Sequence, residues 1–440
     1  MGADDLSPAL RRQLDRWYPL IEHPVQRALV EAVDSGIRFP LAPAGRRSGK
    51  TERFKRFIVK RAIRTPGLYF AGAPTYNQAK KIFWQDLKDF SLASTHPKKP
   101  SESDLIIFLP NGSEIHVIGL DKPERIEGIP WTGGGIDEFG NVKASAWESN
   151  IFPALNTVDP RRRDYRAWCW LFGVPEGLNH YYDLCQSAEA GAKDFQVFHW
   201  KSSEILPADV IEAAKATMSA KQFRQEFEAS FETATGRIYE EYSKANYTTA
   251  EIKPHEALHW THDQNYTPLS SAVAVLRGDD VYFLSEIVLS SAVSKQSAEE
   301  FVEKFRYHDN KKVFLYGDPA GRAGEKHGHR SDYTDIKDVL RGNGWQVIDK
   351  VKKKHPAIKD RQNLVRGKIC NANGHVSLFV NPATAPWCHK GLATVQLQEG
   401  STFQEDQRNE HQHITTAMGY MVDAIWGDNP LLVTGIPSAH

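Results

Sequence analysis

The stretch "LAPAGRRSGKTERF", Leu41 to Phe54, decides how the first half of this 440-residue chain is read. Within it, Ala44-Gly45-Arg46-Arg47-Ser48-Gly49-Lys50-Thr51 has the Walker A spacing, with alanine at the first position. It lies between an apolar run that predicts a strand and the amphipathic "TERFKRFIVKRAIR", which predicts a helix. In that context the backbone amides at the helix start face phosphates, Lys50 reaches β and γ oxygens, and Thr51 holds Mg²⁺. ATP with Mg²⁺ is therefore the expected cofactor, cradled by Ala44 to Thr51. A partner acid is required at the end of another strand, and "TGGGIDEFG" supplies Asp137 for the Mg²⁺ shell and Glu138 to orient the attacking water. Gly133 to Gly135 replace most of the apolar run that normally precedes such a pair, so a short strand is expected there.

Working outward, "RFPLAP", "GLYFAGAP", "DLIIFLP", "EIHVIGL", "GGGIDEF" and "RAWCWLFGVP" alternate with helical patterns, as in a parallel sheet with crossover helices. The expected fold class is α/β, opening with a P-loop (RecA/ASCE-like) ATPase domain. The second half begins differently. "ALHWTHD", "SSAVAVLRG" and "DVYFLSEIVLS" are consecutive short strands, the last two joined by a Gly-Asp-Asp turn, and read as an antiparallel meander. Helix and strand then alternate through "VSLFVNP", an order that predicts a ribonuclease-H-like domain with a mixed sheet. Between the halves, "TATGRIYEEYSKANYTTAEIKPHEA" lacks periodicity. The expected organisation is an ATPase domain over 1–235 with a helical lid, a linker over 236–254, a nuclease domain over 255–428 and a tail over 429–440.

Lys plus Arg number 55 and Asp plus Glu number 55, so no global field draws in a polyanion and any nucleic-acid contact must be local. The four cysteines are widely spaced, which argues against a zinc site and fits a reducing compartment. The first residues are acidic where a signal peptide is basic, and no apolar run is long enough to span a membrane, so a soluble intracellular protein without membrane contact is expected.

Several stretches, in order, resemble the large terminase subunit of tailed bacteriophages, the ATP-driven motor and nuclease that packages DNA into proheads. "HPVQRALVEAV" resembles its adenine-recognition element, with Gln26 as the adenine reader and Trp17 or Tyr18 as neighbours. "AGRRSGKT" resembles its Walker A, and the resemblance makes Arg46 a cis arginine finger; Arg47 has no such position and is expected to face solvent. "GAPTYNQAKKIFWQDL", "IDEFGNVKASAWESNIFPAL" and the coupling-motif-like "LFGVPEGLNHYYDL" follow, the last with Val174 where the family usually has a hydroxyl residue. Double-stranded DNA, a portal protein, a small terminase subunit and a homo-oligomeric, pentameric ring on the portal are the partners this resemblance implies. It also implies residence in the host cytoplasm and, transiently, on the prohead.

Two-metal phosphodiester cleavage needs carboxylates converging from separate elements around ions about 4 Å apart. Asp263 in "HWTHDQ", Asp318 in "LYGDPAG" and Asp423 in "GYMVDAIWG" resemble the three nuclease acids, and Glu286 in "FLSEIV" resembles the accessory acid. They would bind two Mg²⁺ or Mn²⁺. Relatives often carry His-x-x-Asp-Ala-x-x-Tyr in the last helix, where "HITTAMGY" puts Thr416 in place of the aspartate. Asp423 lies two turns further along nearly the same face and either replaces it or sets the register of the helix from the outset; the alternative is a site built from Asp263, Asp318 and Glu286 alone. His411 and His413 are expected to be solvated. For DNA, Lys352 to Lys354 with Lys359 and Arg361 are favoured, while Arg161 to Arg163 read as a solvated face. The tail "NPLLVTGIPSAH" is either a portal-docking segment or a disordered end. A helicase or repair-type translocase is the alternative function; it would place an arginine-bearing helicase motif in the second half, and none is evident.

Overall fold

The structure is a computed structural model that describes residues 7–157, 165–232, 236–263, 268–322, 331–398, 401 and 403–427. The arginine triplet 161–163 and the tail 429–440 lie outside the described residues. The chain divides into two compact units, Met1–Ile211 with Arg224–Thr233, and Glu212–Phe223 with Ala234–His440.

In the first unit the strands are β1 (Phe39–Pro43), β2 (Leu68–Ala73), β3 (Ile106–Phe108), β4 (Glu114–Gly119), β5 (Gly133–Ile136), β6 (Trp168–Gly173) and β7 (Phe195–Val197). They form one sheet in the order β3-β4-β2-β5-β6-β1-β7. Every pairing is parallel except β3 with β4. That exception departs from the all-parallel expectation for a local reason. Leu109 to Ser113 close a tight turn, with the Leu109 amide donating to the Ser113 carbonyl at 2.9 Å, and such a turn is too short for a crossover. β6 lies between the P-loop strand β1 and the Asp137 strand β5, the inserted-strand order of an ASCE-type sheet.

The glycine run of β5 has a packing explanation. A Cβ at Gly133, Gly134 or Gly135 would stand 2.2 Å from Trp168, 2.4 Å from Phe70 and 2.3 Å from Phe54 respectively. The apolar mass missing from β5 is supplied by rings of the neighbouring elements, all three fully buried. The helical stretch Tyr76–Phe90 is wound as a π-helix over Lys80–Trp84, which turns the adjacent Phe83 and Trp84 both into the core.

The second unit holds β8 (Leu258–Asp263), β9 (Leu269–Arg277), β10 (Asp280–Leu289), β11 (Lys312–Gly317), β12 (Gln346–Asp349) and β13 (Leu378–Val380), in the order β12-β11-β8-β9-β10-β13. β8, β9 and β10 are antiparallel neighbours, while β11 runs parallel to β8 and β12 parallel to β11. This is the mixed ribonuclease-H-like sheet. Strand alternation splits its two cores. Leu258 and Trp260 face the layer of Phe301 and Tyr333, and on the opposite face Thr261 donates to the Ala417 carbonyl of the last helix, Gln412–Trp426. Residues 236–254, read from the sequence as a linker, pack into this unit. Ile238, Tyr239, Tyr242 and Asn246 are buried, and the Asn246 amide donates to both the Ile369 and Leu378 carbonyls. Residues 212–223 belong to it as well, the Ala216 carbonyl accepting from Asn371 Nδ2 at 2.7 Å. Among the described residues no helix is long and apolar enough to cross a membrane.

Two candidate active sites

The phosphate loop leaves β1 at Pro43 and enters the helix Lys50–Arg64 through Gly49, whose φ of 86° only glycine adopts cheaply. A Cβ on Gly45 would stand 2.3 Å from the Ser202 hydroxyl and 2.7 Å from the Phe227 carbonyl, so the turn needs glycine there too. Neighbouring elements hold the loop. The Gly45 amide donates to the Trp200 carbonyl at 3.1 Å, and Trp200 Nε1 donates to the Ser48 carbonyl at 3.1 Å. Ser202 donates to the Arg46 carbonyl at 2.7 Å, and Ser48 closes the turn onto the Gly45 carbonyl. Lys50 Nζ lies 3.4 Å from that same carbonyl, buried inside the loop where phosphate oxygens would reach it.

Thr51 Oγ1 donates to Asp137 Oδ2 at 2.8 Å, joining the two groups expected on one Mg²⁺ shell. Asp137 is fixed from behind by its own amide on the Gly72 carbonyl, and its Oδ1 accepts the Glu138 amide at 2.9 Å. Burial raises the pKa of both carboxyls, and Lys50 is the largest charge opposing that rise. Glu138 has φ 51°, a conformation few non-glycine residues adopt, and a Cβ on Gly173 at the end of β6 would lie 2.9 Å from its Cα. Asn179 caps the helix His180–Glu189 and donates to the Gly140 carbonyl at 2.8 Å. The coupling-motif-like loop is thus tied to the backbone just past Glu138. Val174 in that loop is buried, and its side chain offers no hydrogen-bonding group.

Arg46 and Gln26 stand differently from their expected roles. Arg46 Nε donates to the buried Glu226 carboxylate at 2.6 Å, so the finger rests on the helix Ala220–Phe227. Gln26 Nε2 donates to the Ser48 carbonyl at 2.6 Å while its Oε1 accepts from Arg53 at 2.9 Å. Nε2 keeps a second hydrogen and Oε1 a second lone pair, which is the capacity that reading adenine needs. Trp17 is turned away to Phe90, its Nε1 donating to that residue's carbonyl.

In the second unit, Asp263 ends β8 and Asp318 follows β11, whose Gly317 pairs with His262. The Asp318 amide continues the ladder onto the His262 carbonyl at 3.1 Å, so the two acids end adjacent parallel strands. Asp423 lies on the last helix and is buried. Each acid meets a basic side chain: His413 Nδ1 is 2.9 Å from Asp263 Oδ2, His355 Nδ1 is 3.4 Å from Asp318 Oδ1, and Lys352 Nζ is 3.0 Å from Asp423 Oδ2. Among the described residues no three or more His, Cys, Asp or Glu side chains are gathered as a metal would need. The carboxylate oxygens suit Mg²⁺ or Mn²⁺ in kind, and in this structure each acid meets a basic side chain.

Residues 41–242 match the family model described as terminase large subunit, T4likevirus-type, N-terminal. Over those residues the chain is similar to the large-terminase family. The large terminase of a thermophilic bacteriophage shares the fold over most of both chains, with a TM-score of 0.62 at 15% identity, covering 93% of this chain and 99% of that one. The same phage protein in complex with ADP aligns at a TM-score of 0.59, 15% identity and 96% and 99% coverage. Its complex with ATP-gamma-S aligns at 0.59, 16%, 91% and 98%. No curated protein matches the chain.

Glu286, expected as the accessory acid, accepts the Trp387 and Cys388 amides at 2.9 and 3.0 Å on its two oxygens and so caps the helix Pro386–Thr394. His413, expected in solvent, is instead largely buried on Asp263. Thr416 donates to Glu405 at 3.0 Å and accepts from Arg361 at 3.3 Å, and Arg361 also stacks on Tyr420. Arg361, favoured for DNA, is buried in that network and is a structural group. Glu405, Tyr420, Trp200, Ser202 and Glu226 carry no sequence motif, because each acts through a fold-made contact with a distant segment.

Proposed function

We propose that this chain is a packaging motor and nuclease: ATP hydrolysis in the first unit drives double-stranded viral DNA into proheads, and divalent metal in the second unit cuts concatemeric DNA. The observation that carries the reading is the joint presence of the Thr51–Asp137 contact beside Lys50 and of Asp263 and Asp318 on adjacent strand ends. Lys50 would neutralise the β and γ oxygens, Thr51 and Asp137 would hold Mg²⁺, and Glu138 would orient water for in-line attack. Arg46 would leave Glu226 to meet charge on the γ-phosphate. The thermophilic phage relative's complexes with ADP and ATP-gamma-S support nucleotide use here.

On the nuclease side, Asp263 and Asp318 would hold one metal, with Asp423 as the further ligand. Metal there would supply charge for the phosphodiester transition state. The similarity to large terminases favours a portal protein, a small terminase subunit and a homo-oligomeric ring as partners, with work done in the host cytoplasm and on the prohead. The test is ATPase activity of Lys50→Ala together with Mn²⁺-dependent plasmid cleavage by Asp263→Ala and Asp423→Ala. Wild-type turnover by Lys50→Ala removes the motor reading, and normal cutting by Asp263→Ala removes the nuclease. Normal cutting by Asp423→Ala alone moves the third ligand elsewhere.

A further inference from the structure

Arg46 is held at two levels. Its backbone is pinned on both sides, the amide donating to the Glu226 carbonyl at 2.6 Å and the carbonyl accepting from the Ser202 hydroxyl at 2.7 Å. Its guanidinium is held separately, Nε donating to Glu226 Oε2 at 2.6 Å. Both Glu226 contacts lie in the last turn of the helix Ala220–Phe227, where the helix dipole favours a cation. The acid is buried, whereas the Arg46 side chain is 33% exposed.

This arrangement separates the root of the side chain from its tip. The guanidinium can leave the carboxylate by rotation about its own χ angles with both backbone bonds kept, because neither of those bonds involves the side chain. Burial raises the Glu138 carboxyl, and Arg46 and Glu226 act on it with opposite signs, so the pair stands within electrostatic range of the acid expected to orient water. A carboxylate and a phosphate offer a guanidinium the same chemistry, an oxyanion that accepts charge-assisted hydrogen bonds. Glu226 and a γ-phosphate are therefore rivals for one cation. We infer that Glu226 is a positioning residue that withholds Arg46 from the nucleotide: the guanidinium stays on the carboxylate unless a γ-phosphate competes for it, so the contact weakens binding of the triphosphate and leaves the diphosphate unaffected. The inference rests on the ATPase reading above, in which Arg46 serves the γ-phosphate. When the competent state is only partly populated, affinity falls by that fraction, and removing the rival restores it. The finger returns to Glu226 once the γ-phosphate is gone, and no backbone movement is needed to reset it.

The test is calorimetric titration of the full chain with ATP-gamma-S and with ADP. Glu226→Gln keeps a hydrogen-bond acceptor and removes the charge. It should bind ATP-gamma-S about three- to tenfold more tightly and ADP within about twofold of the wild type. Glu226→Asp, which draws the carboxylate back by one methylene, should shift the ratio of the two affinities in the same direction, by less. In an Arg46→Gln background the gain from Glu226→Gln should vanish, since the side chain through which Glu226 acts is gone. A wild-type ratio in Glu226→Gln, or in Glu226→Asp should the first variant not fold, overturns the inference. An equal gain for both nucleotides, or a gain that survives without Arg46, overturns it as well. Lys50→Ala separates the two failures. If it binds ATP-gamma-S as the wild type does, the ATPase reading itself falls; if it loses ATP-gamma-S while the Glu226 variants keep the wild-type ratio, only the role of Glu226 falls.

Discussion

The two units hold their chemistry in opposite ways. In the first, eight consecutive residues build the phosphate loop and one strand end completes it, with Thr51 in direct contact with Asp137. In the second, three acids come from β8, the end of β11 and the last helix, and each is engaged by a separate basic group. A contiguous loop brings its groups together through local backbone geometry, whereas acids from three separate elements depend on the whole fold to place them.

The largest expected effects break this comparison most directly. Lys50→Ala should lower ATP turnover by about 10³-fold while leaving Mn²⁺-dependent plasmid cleavage intact. Asp263→Ala should do the reverse by a similar factor. Loss of both activities in either variant, measured on protein with wild-type circular dichroism, would mean that the two sites do not work independently. Next comes Gly134→Ala, whose new methyl carbon would lie 2.4 Å from the Phe70 ring. It should destabilise the chain by about 1–3 kcal/mol in urea unfolding, whereas Gly342→Ala, with open space around it and no positive φ, should not.

The second unit has its own pH signature. Burial pushes His259 down to about 4, so it is neutral in the fold although it would be charged below about 6.5 when unfolded. Its contribution is complete above pH 6.5 and is lost as the pH falls through 4, at most about 3 kcal/mol. Urea midpoints across that range should fall less steeply in His259→Gln, which keeps a partner for the Tyr316 hydroxyl. The smallest effect concerns the helix-capping role of Glu286. Glu286→Ala should cost about 1–2 kcal/mol of stability through the lost helix cap and leave Mn²⁺ affinity unchanged; a severalfold loss of Mn²⁺ affinity would restore it as a ligand.

What was legible in the sequence follows the same division. The Walker A loop, Asp137, Glu138 and most strands of both sheets could be read because contiguous residues and periodicity encode them. Arg46 on Glu226, His413 on Asp263 and Lys352 on Asp423 could not, since each joins residues far apart in the chain. The contact of Glu286 with the Trp387 and Cys388 amides was not legible either, because an acid on a strand shows nothing in sequence of the helix end it meets. The reversed pairing of β3 was hidden in the turn Leu109–Ser113, whose closure only the hydrogen bonds reveal.

The glycine strand β5 carries a lesson for drift between related sequences. Gly133, Gly134 and Gly135 interlock with Trp168, Phe70 and Phe54 as three key-and-slot pairs. Neither half of a pair can change first without a clash or a void, so the pairs should covary across relatives as blocks. Where the rings shrink, the glycines are free to grow back into valine or isoleucine.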